Sequence, residues 1–585
     1  MRSNAGRRGF MAWCALAIWC TGHACGAPAA GGTGLAKPQV SPEEAARAFL
    51  TQSCTFLKGS AKLVEKCDPR AVDGFYAATE AAWNAVWTCP GSREILCEAA
   101  ELYADSLAAL LETACQHGRL TEQGLVIGPS WKPICVPIET RALPIDASMI
   151  DTVVVTPPPG DSRITRHHAR GGFGLPVVVR VKRSPPGTVA EDFAPDRQSL
   201  AATAVLRFKM PGDENAFQKF SGPLARDHAP AILDLANPIE IAAVHVGPAR
   251  PLLAADLTAP LLDVLEGTPK AGITGFIQPY GRGDTVPRLE FIEPHQPGRI
   301  PVVFIHGLAS DEGTWFDMLN ELRTWPTFHR RYEPWVFHYP TGASFLQSAA
   351  VLRRQLRAAV QRLDPEGKDP ALQNLVLVGH SMGGLHAKLQ VVDPGTRIWD
   401  SIAYVPFEQI NLRPEVRQMV RPGYFFEPLP FVKRVIFIAT PHAGSSLASR
   451  AVGRAASLTV QQPAESKAIH DEAVAMNPGA FRPDYERSLP TTVDVLEPES
   501  GILNALRELR IPCWVTTHSI IGTAHQSLIG GPGDCIVPVS SAQLPGVVSE
   551  ITVPATHTQV HHQPATIREV ERILTEHLQE TGLAR

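Results

Sequence analysis

Residues 375–385 read Leu-Val-Leu-Val-Gly-His-Ser-Met-Gly-Gly-Leu. The run Leu375–Val378 is apolar without interruption, which suits a strand buried on both faces of a parallel sheet. Gly379, Gly383 and Gly384 surround Ser381, and a helical pattern follows from Leu385. Strand, sharp turn and helix, in that order, lift a serine hydroxyl clear of the backbone, and small residues let strand and helix close around it. A bare Gly-x-Ser-x-Gly arises readily by chance in a chain with 46 glycines, so its setting gives it its weight. Ser381 is the candidate nucleophile.

The same rhythm extends outward on both sides. Pro301–His306, Trp335–Tyr339, Val435–Ala439, Trp514–Gly522 and Glu550–Pro554 are short apolar runs of the buried-strand kind. Trp315–Arg323, Ser348–Leu363, Leu385–Val392, Ile502–Leu509 and Ala565–Leu578 carry helical periodicity between and after them. Residues 296–585 are therefore predicted to form a doubly wound, mostly parallel α/β sheet. An apolar, proline-punctuated insert at 393–430, with Trp399, Phe407, Tyr424 and Phe425, interrupts the pattern. It reads either as a lid over a pocket or as packing against the sheet.

A serine nucleophile needs a base, an acid to orient the base, and donors for the developing oxyanion. One donor is expected from the backbone of Met382, directly after the serine. The other is expected from Leu308 or Ala309, after the strand ending at His306-Gly307; His306 itself reads mainly as structural. The acid should precede the base in the order Ser, Asp, His. Asp534, in Gly533-Asp534-Cys535-Ile536-Val537-Pro538, follows the Trp514–Gly522 strand, whereas its rival Asp494 precedes it. The base should follow the last strand, which makes His557 the candidate and His561 the alternative. No acidic residue accompanies His557, His561 and His562, so a metal site is disfavoured. His442, in Thr440-Pro441-His442, reads as a brace at a pocket rim.

These segments resemble a known family. Pro-Val-Val-Phe-Ile-His-Gly-Leu (301–308), Tyr-Pro-Thr-Gly (339–342), the 375–385 stretch and Arg-Val-Ile-Phe-Ile-Ala-Thr-Pro-His-Ala-Gly-Ser (434–445) are similar to the α/β-hydrolase superfamily. More narrowly they resemble its secreted bacterial lipase/esterase branch, which also includes the GPI inositol-deacylase-like proteins. Residues 533–542 resemble that branch's acid loop, with Cys535 where a glycine is usual. The resemblance covers 296–580, about half of the chain, and says little about 41–295.

The amino-terminal half reads differently. Arg2, Arg7 and Arg8 precede an apolar run from Phe10 to Cys20, and small residues follow. This is the pattern of an export signal over residues 1–26, cleaved after Gly26; an uncleaved anchor and lipidation at Cys25 or Cys20 are the alternatives. Residues 27–40 read as a linker. Residues 41–132 read as a helical, cysteine-rich module and 133–295 as a β-rich segment, with a hairpin joining Ile273–Ile277 to Arg288–Ile292. Six cysteines crowd between Cys54 and Cys135, which in an oxidising compartment predicts disulfides. Cys513 and Cys535 complete an even count, but the intervening strand should hold them apart.

Composition excludes several classes. With 54 basic and 58 acidic side chains, the net charge of −4 gives no reason to expect a nucleic-acid partner. No internal run approaches the roughly 18 apolar residues of a membrane-crossing helix. The expected function is hydrolysis of a carboxylic ester, lipid-like by the resemblance, without a cofactor and with peripheral membrane contact as a corollary. The alternatives are acyl transfer or amide hydrolysis on the same triad, and a non-catalytic envelope binding protein with a vestigial hydrolase domain.

Overall fold

The computed structural model describes residues 40–155, 160–161, 163–185, 187–210, 230–267, 286–445, 464–526 and 531–584. The export signal, nearly all of the linker and the 273–277 arm of the expected hairpin lie outside the described residues. The chain divides into two compact units. The first runs to Pro158 and takes in His168–Lys182 and Ser199–Pro260; the second comprises Pro159–His167, Arg183–Gln198 and the chain from Leu261 onward.

In the first unit, helix α1 (Pro42–Val64) begins at a reciprocal cap, with the Ser41 hydroxyl and the Glu44 carboxylate each accepting from the other's backbone N–H. Helices α2 (Ala71–Thr88) and α3 (Arg93–Gln116) follow. Strands β1 (Ile138–Arg141), β2 (Ile150–Val154), β3 (Leu175–Val181), β4 (Ser199–Phe208) and β5 (Ala231–Ala236) form a sheet in the order β1-β5-β4-β3-β2, with only β1 and β5 parallel. Phe75, Trp83, Tyr103 and Leu107 of the helices share one apolar core with Val179, Leu206 and Phe208 of the sheet. The Tyr103 hydroxyl donates to the Leu206 carbonyl at 2.7 Å. Helices and sheet each offer an apolar face that the other buries, so the boundary read at 132/133 does not separate two cores.

One local expectation is corrected. Ile239–Val246, one of the β-branched runs on which the β-rich reading of residues 133–295 rests, forms no strand. The Asn237 side chain accepts the Ile239 N–H at 3.0 Å, the Ile241 N–H turns back to the Asn237 carbonyl, and Pro238 has no N–H for a ladder. No disulfide joins the eight cysteines from Cys54 to Cys535 in this structure, and Cys67, Cys97, Cys115, Cys135 and Cys513 are exposed. A continuous apolar core beneath α1, α2 and α3 packs the helices together.

The second unit is mixed α/β. Among the described residues its main sheet has seven strands, β6 (Arg288–Phe291), β7 (Ile300–Ile305), β8 (Tyr332–His338), β9 (Leu375–His380), β10 (Val432–Ile438), β11 (Thr516–Gly522) and β12 (Ser549–Val553). They lie in the order β6-β8-β7-β9-β10-β11-β12, antiparallel at β6 and parallel elsewhere. Thus Arg288–Phe291, placed by the sequence in the β-rich segment, is one of the two edge strands of this sheet.

Alternate residues along these strands enter two different cores, as a period of two requires. Val303, Ile305, Phe337, Leu377 and Val435 face one side together with helix α5 (Phe345–Leu363). Val302, Phe304, Val376, Val378 and Ile436 face the other, with α4 (Phe316–Leu322) and the last helix, α7 (Pro564–Thr581). Each such buried side chain stabilises the fold by about 1.5–3 kcal/mol. In the 393–430 insert, Ile398, Trp399, Ile402, Phe407 and Tyr424 join the first of these cores, while Tyr404 and Met419 stay exposed. These five buried side chains therefore pack as part of the core. Among the described residues no helix is long and apolar enough to cross a membrane.

Candidate active site

Parallel strands bring their carboxyl ends to one edge of the sheet, where the following loops converge. Ser381 follows β9, His306 follows β7, Asp534 lies in the segment after β11, and His557 follows β12. Ser381 stands between β9 and helix α6 (Met382–Lys388) with φ +55° and ψ −126°. A side chain rarely adopts that backbone, and the surrounding hydrogen bonds hold it there: the Ser381 N–H donates to Ile438 of β10 at 2.8 Å. The turn also explains two glycines. A Cβ at Gly383 would lie 2.1 Å from the Ile305 carbonyl oxygen, and one at Gly384 would lie 1.9 Å from the Thr440 hydroxyl.

The structure brings the three sequence candidates together. Nε2 of His557 lies 2.8 Å from the Ser381 hydroxyl, and Nδ1 lies 2.7 Å from Oδ2 of Asp534. All three residues are buried. The other oxygen of Asp534 accepts the N–H groups of Ile536 and Val537, at 3.0 and 2.7 Å. These two bonds close the acid loop on its own carboxylate, and between them Cys535 takes φ +82°. That left-handed backbone is the conformation for which glycine is better suited.

The rivals do other work. Asp494 caps a short helix, its carboxylate accepting the Thr491 N–H and hydroxyl at 2.7 and 2.8 Å. His561 is buried with neither ring nitrogen in a hydrogen bond, its ring packed 4.4 Å from that of His380. His442 is likewise buried, set edge-on to Phe437.

The expected oxyanion donors also lie in this region. Ala309 donates its N–H to the Thr341 hydroxyl at 3.0 Å, so it is engaged. The N–H groups of Leu308 and Met382 donate to no other described residue. His306 acts as a brace: Tyr339 stacks on it at 4.4 Å and donates its hydroxyl to the His306 carbonyl at 2.7 Å. Sequence reasoning missed the contributions of Tyr339 and Thr341, although Tyr-Pro-Thr-Gly marks where they stand. Among the described residues no three His, Cys, Asp or Glu side chains gather as a metal-binding group.

Several buried histidines make the unit sensitive to acid. At the opposite end of the sheet, the guanidinium of Arg434 lies 2.6 Å from His518 Nε2 and 3.2 Å from His577 Nδ1. A guanidinium only donates, so both rings must accept and be neutral. Burial, with Arg434 adding to it, lowers both to about 4; burial lowers His386 and His442 to about 3. The unfolded chain therefore binds more protons than the native one between about pH 6.5 and 3. The resulting stability is complete above about pH 6.5 and declines as pH falls through the folded values, each histidine contributing up to about 1.4 kcal/mol per pH unit. Urea unfolding at pH 7.5 and 5 should show a clear loss at the lower pH, and equal stability at both would contradict this.

A scan against protein-family models finds no match, and a search of curated proteins finds none. Solved structures do match. The mature lipase BlEst2 of Bacillus licheniformis is similar at 17% identity over 49% of this chain and 98% of its own, with a TM-score of 0.30. The esterase Est2 of Thermogutta terrifontis matches at 14% over 52% of this chain and 93% of its own, with a TM-score of 0.28. EstA of Clostridium botulinum matches at 14% over 49% and 90%, with a TM-score of 0.29.

Proposed function

We propose that this chain is a serine hydrolase of the α/β-hydrolase type, with a doubly wound sheet, that cleaves carboxylic esters through an acyl-enzyme. The observation that carries the reading is the hydrogen-bonded series Ser381–His557–Asp534, with the serine on a left-handed strand–helix turn. In this reading His557 Nε2 takes the Ser381 proton as Oγ attacks the acyl carbonyl. Asp534 holds the ring through Nδ1 and stabilises the imidazolium that forms. The Leu308 and Met382 N–H groups donate to the oxyanion of the tetrahedral intermediate. His557 then returns its proton to the leaving alcohol. The neutral ring takes a proton from water as water attacks the acyl-enzyme, and gives it to Ser381 Oγ as the C–Oγ bond breaks and the acid leaves. Nothing in this sequence of steps calls for a cofactor.

A lipid-like substrate, with peripheral membrane contact, and membership of the secreted lipase/esterase branch rest on the sequence resemblance. Acyl transfer and amide cleavage would use the same residues and differ in the acceptor or leaving group. A series of chromogenic esters of increasing acyl length should show turnover with a chain-length optimum, and a fluorophosphonate should label Ser381. A folded protein that turns over no ester and does not label would be a vestigial scaffold instead.

Export is part of the same proposal and rests on the basic and apolar pattern of residues 1–26. Protein recovered from outside the cytoplasm should begin at Ala27. A chain recovered only from the cytoplasm and beginning at Met1 would refute it.

A further inference from the structure

We propose that His380 is a positioning residue that clamps the base from the nucleophile side, by donating its Nε2–H to the main-chain carbonyl of His557. The inference rests on the reading of Ser381, Asp534 and His557 as a triad and adds a fourth participant to it. The two atoms lie 2.9 Å apart in a buried setting. A carbonyl oxygen can only accept, so the His380 proton must reside on Nε2. Nδ1 then carries the lone pair, and it has no hydrogen-bond partner. Burial holds the ring well below the usual histidine range, so it remains a neutral donor at working pH.

The consequence is geometric. His557 is fixed at four points: its N–H donates to the Asp534 carbonyl at 2.9 Å, its carbonyl accepts from His380, and its two ring nitrogens meet Asp534 and Ser381. Two of these anchors come from the acid loop and two from adjacent residues of one strand end. His380 pairs with Ile438 in the β9–β10 ladder, so strand pairing fixes the backbone that carries the donor ring. The nucleophile and the group that locates the base thus share one rigid mount, and loop motion after β12 is kept from altering the Oγ–Nε2 distance. His561 packs against the His380 ring and closes the space around it. His380 touches the base and not the substrate, so its loss should appear in turnover rather than in binding.

The test compares His380→Gln, His380→Asn and His380→Phe in the full chain. A glutamine amide reaches about where Nε2 lies, an asparagine amide only about where Nδ1 lies, and phenylalanine keeps the ring without a donor. The expected result is that Gln keeps kcat within about threefold, while Asn and Phe lose about 30-fold or more with KM within about threefold. Thermal unfolding of each variant checks that the loss is not one of fold. If Phe does not fold, the Gln and Asn pair carries the same comparison. Asn or Phe turning over as fast as Gln would overturn the proposal, as would a Gln variant that is as slow as they are. Ser381→Ala run alongside separates the two readings: activity surviving there refutes the triad, whereas activity lost there but kept in His380→Phe refutes only the clamp.

Discussion

Ser381→Ala is expected to lower ester turnover by roughly 10⁴–10⁶-fold while leaving the protein folded. The Ser381 side chain forms its hydrogen bond with His557 alone, and no apolar contact of the two cores depends on its hydroxyl. Alanine needs the same left-handed backbone as serine, so the substitution adds no steric demand at φ +55°. Nearly everything lost should therefore be chemistry. The measurement is kcat on a chromogenic ester, paired with urea unfolding of both proteins. A folded variant with a tenth or so of the original rate would remove Ser381 from the mechanism.

His557→Ala should be nearly as severe, with a loss of roughly three orders of magnitude or more, whereas His561→Leu should retain turnover within about tenfold. The two rings lie four positions apart, but only His557 reaches both Ser381 and Asp534. His561 lacks a hydrogen bond at either nitrogen and contributes through packing, against Trp315 at 5.7 Å as well as His380. A leucine largely refills that volume, so its cost should fall on stability and amount to less than about 2 kcal/mol. The opposite pattern, an inactive His561→Leu beside an active His557→Ala, would exchange their roles.

The sequence by itself determined the alternation of strand and helix from Ile300 onward. The strands are continuous apolar runs, and the helices show a clear period, so local chemistry and final burial agree. It likewise marked Ser381 as the residue at the strand–helix turn, because a strained turn needs its small residues close by in the chain, at Gly379, Gly383 and Gly384. Asp534 and His557 were legible through chain order, with Asp494 and His561 left as rivals. Tertiary structure separates them in space: strand order places Asp534 and His557 beside Ser381, while Asp494 caps a helix and His561 fills a core. It also decided what depends on contacts distant in sequence. Arg288–Phe291 joins the large sheet because its partner, β8, begins at Tyr332, and the helices of residues 42–116 share a core with strands as far away as Ala236. The bond from His380 to His557 spans 177 positions. Local patterns state which face of an element is apolar, but they carry no record of which other element will bury it.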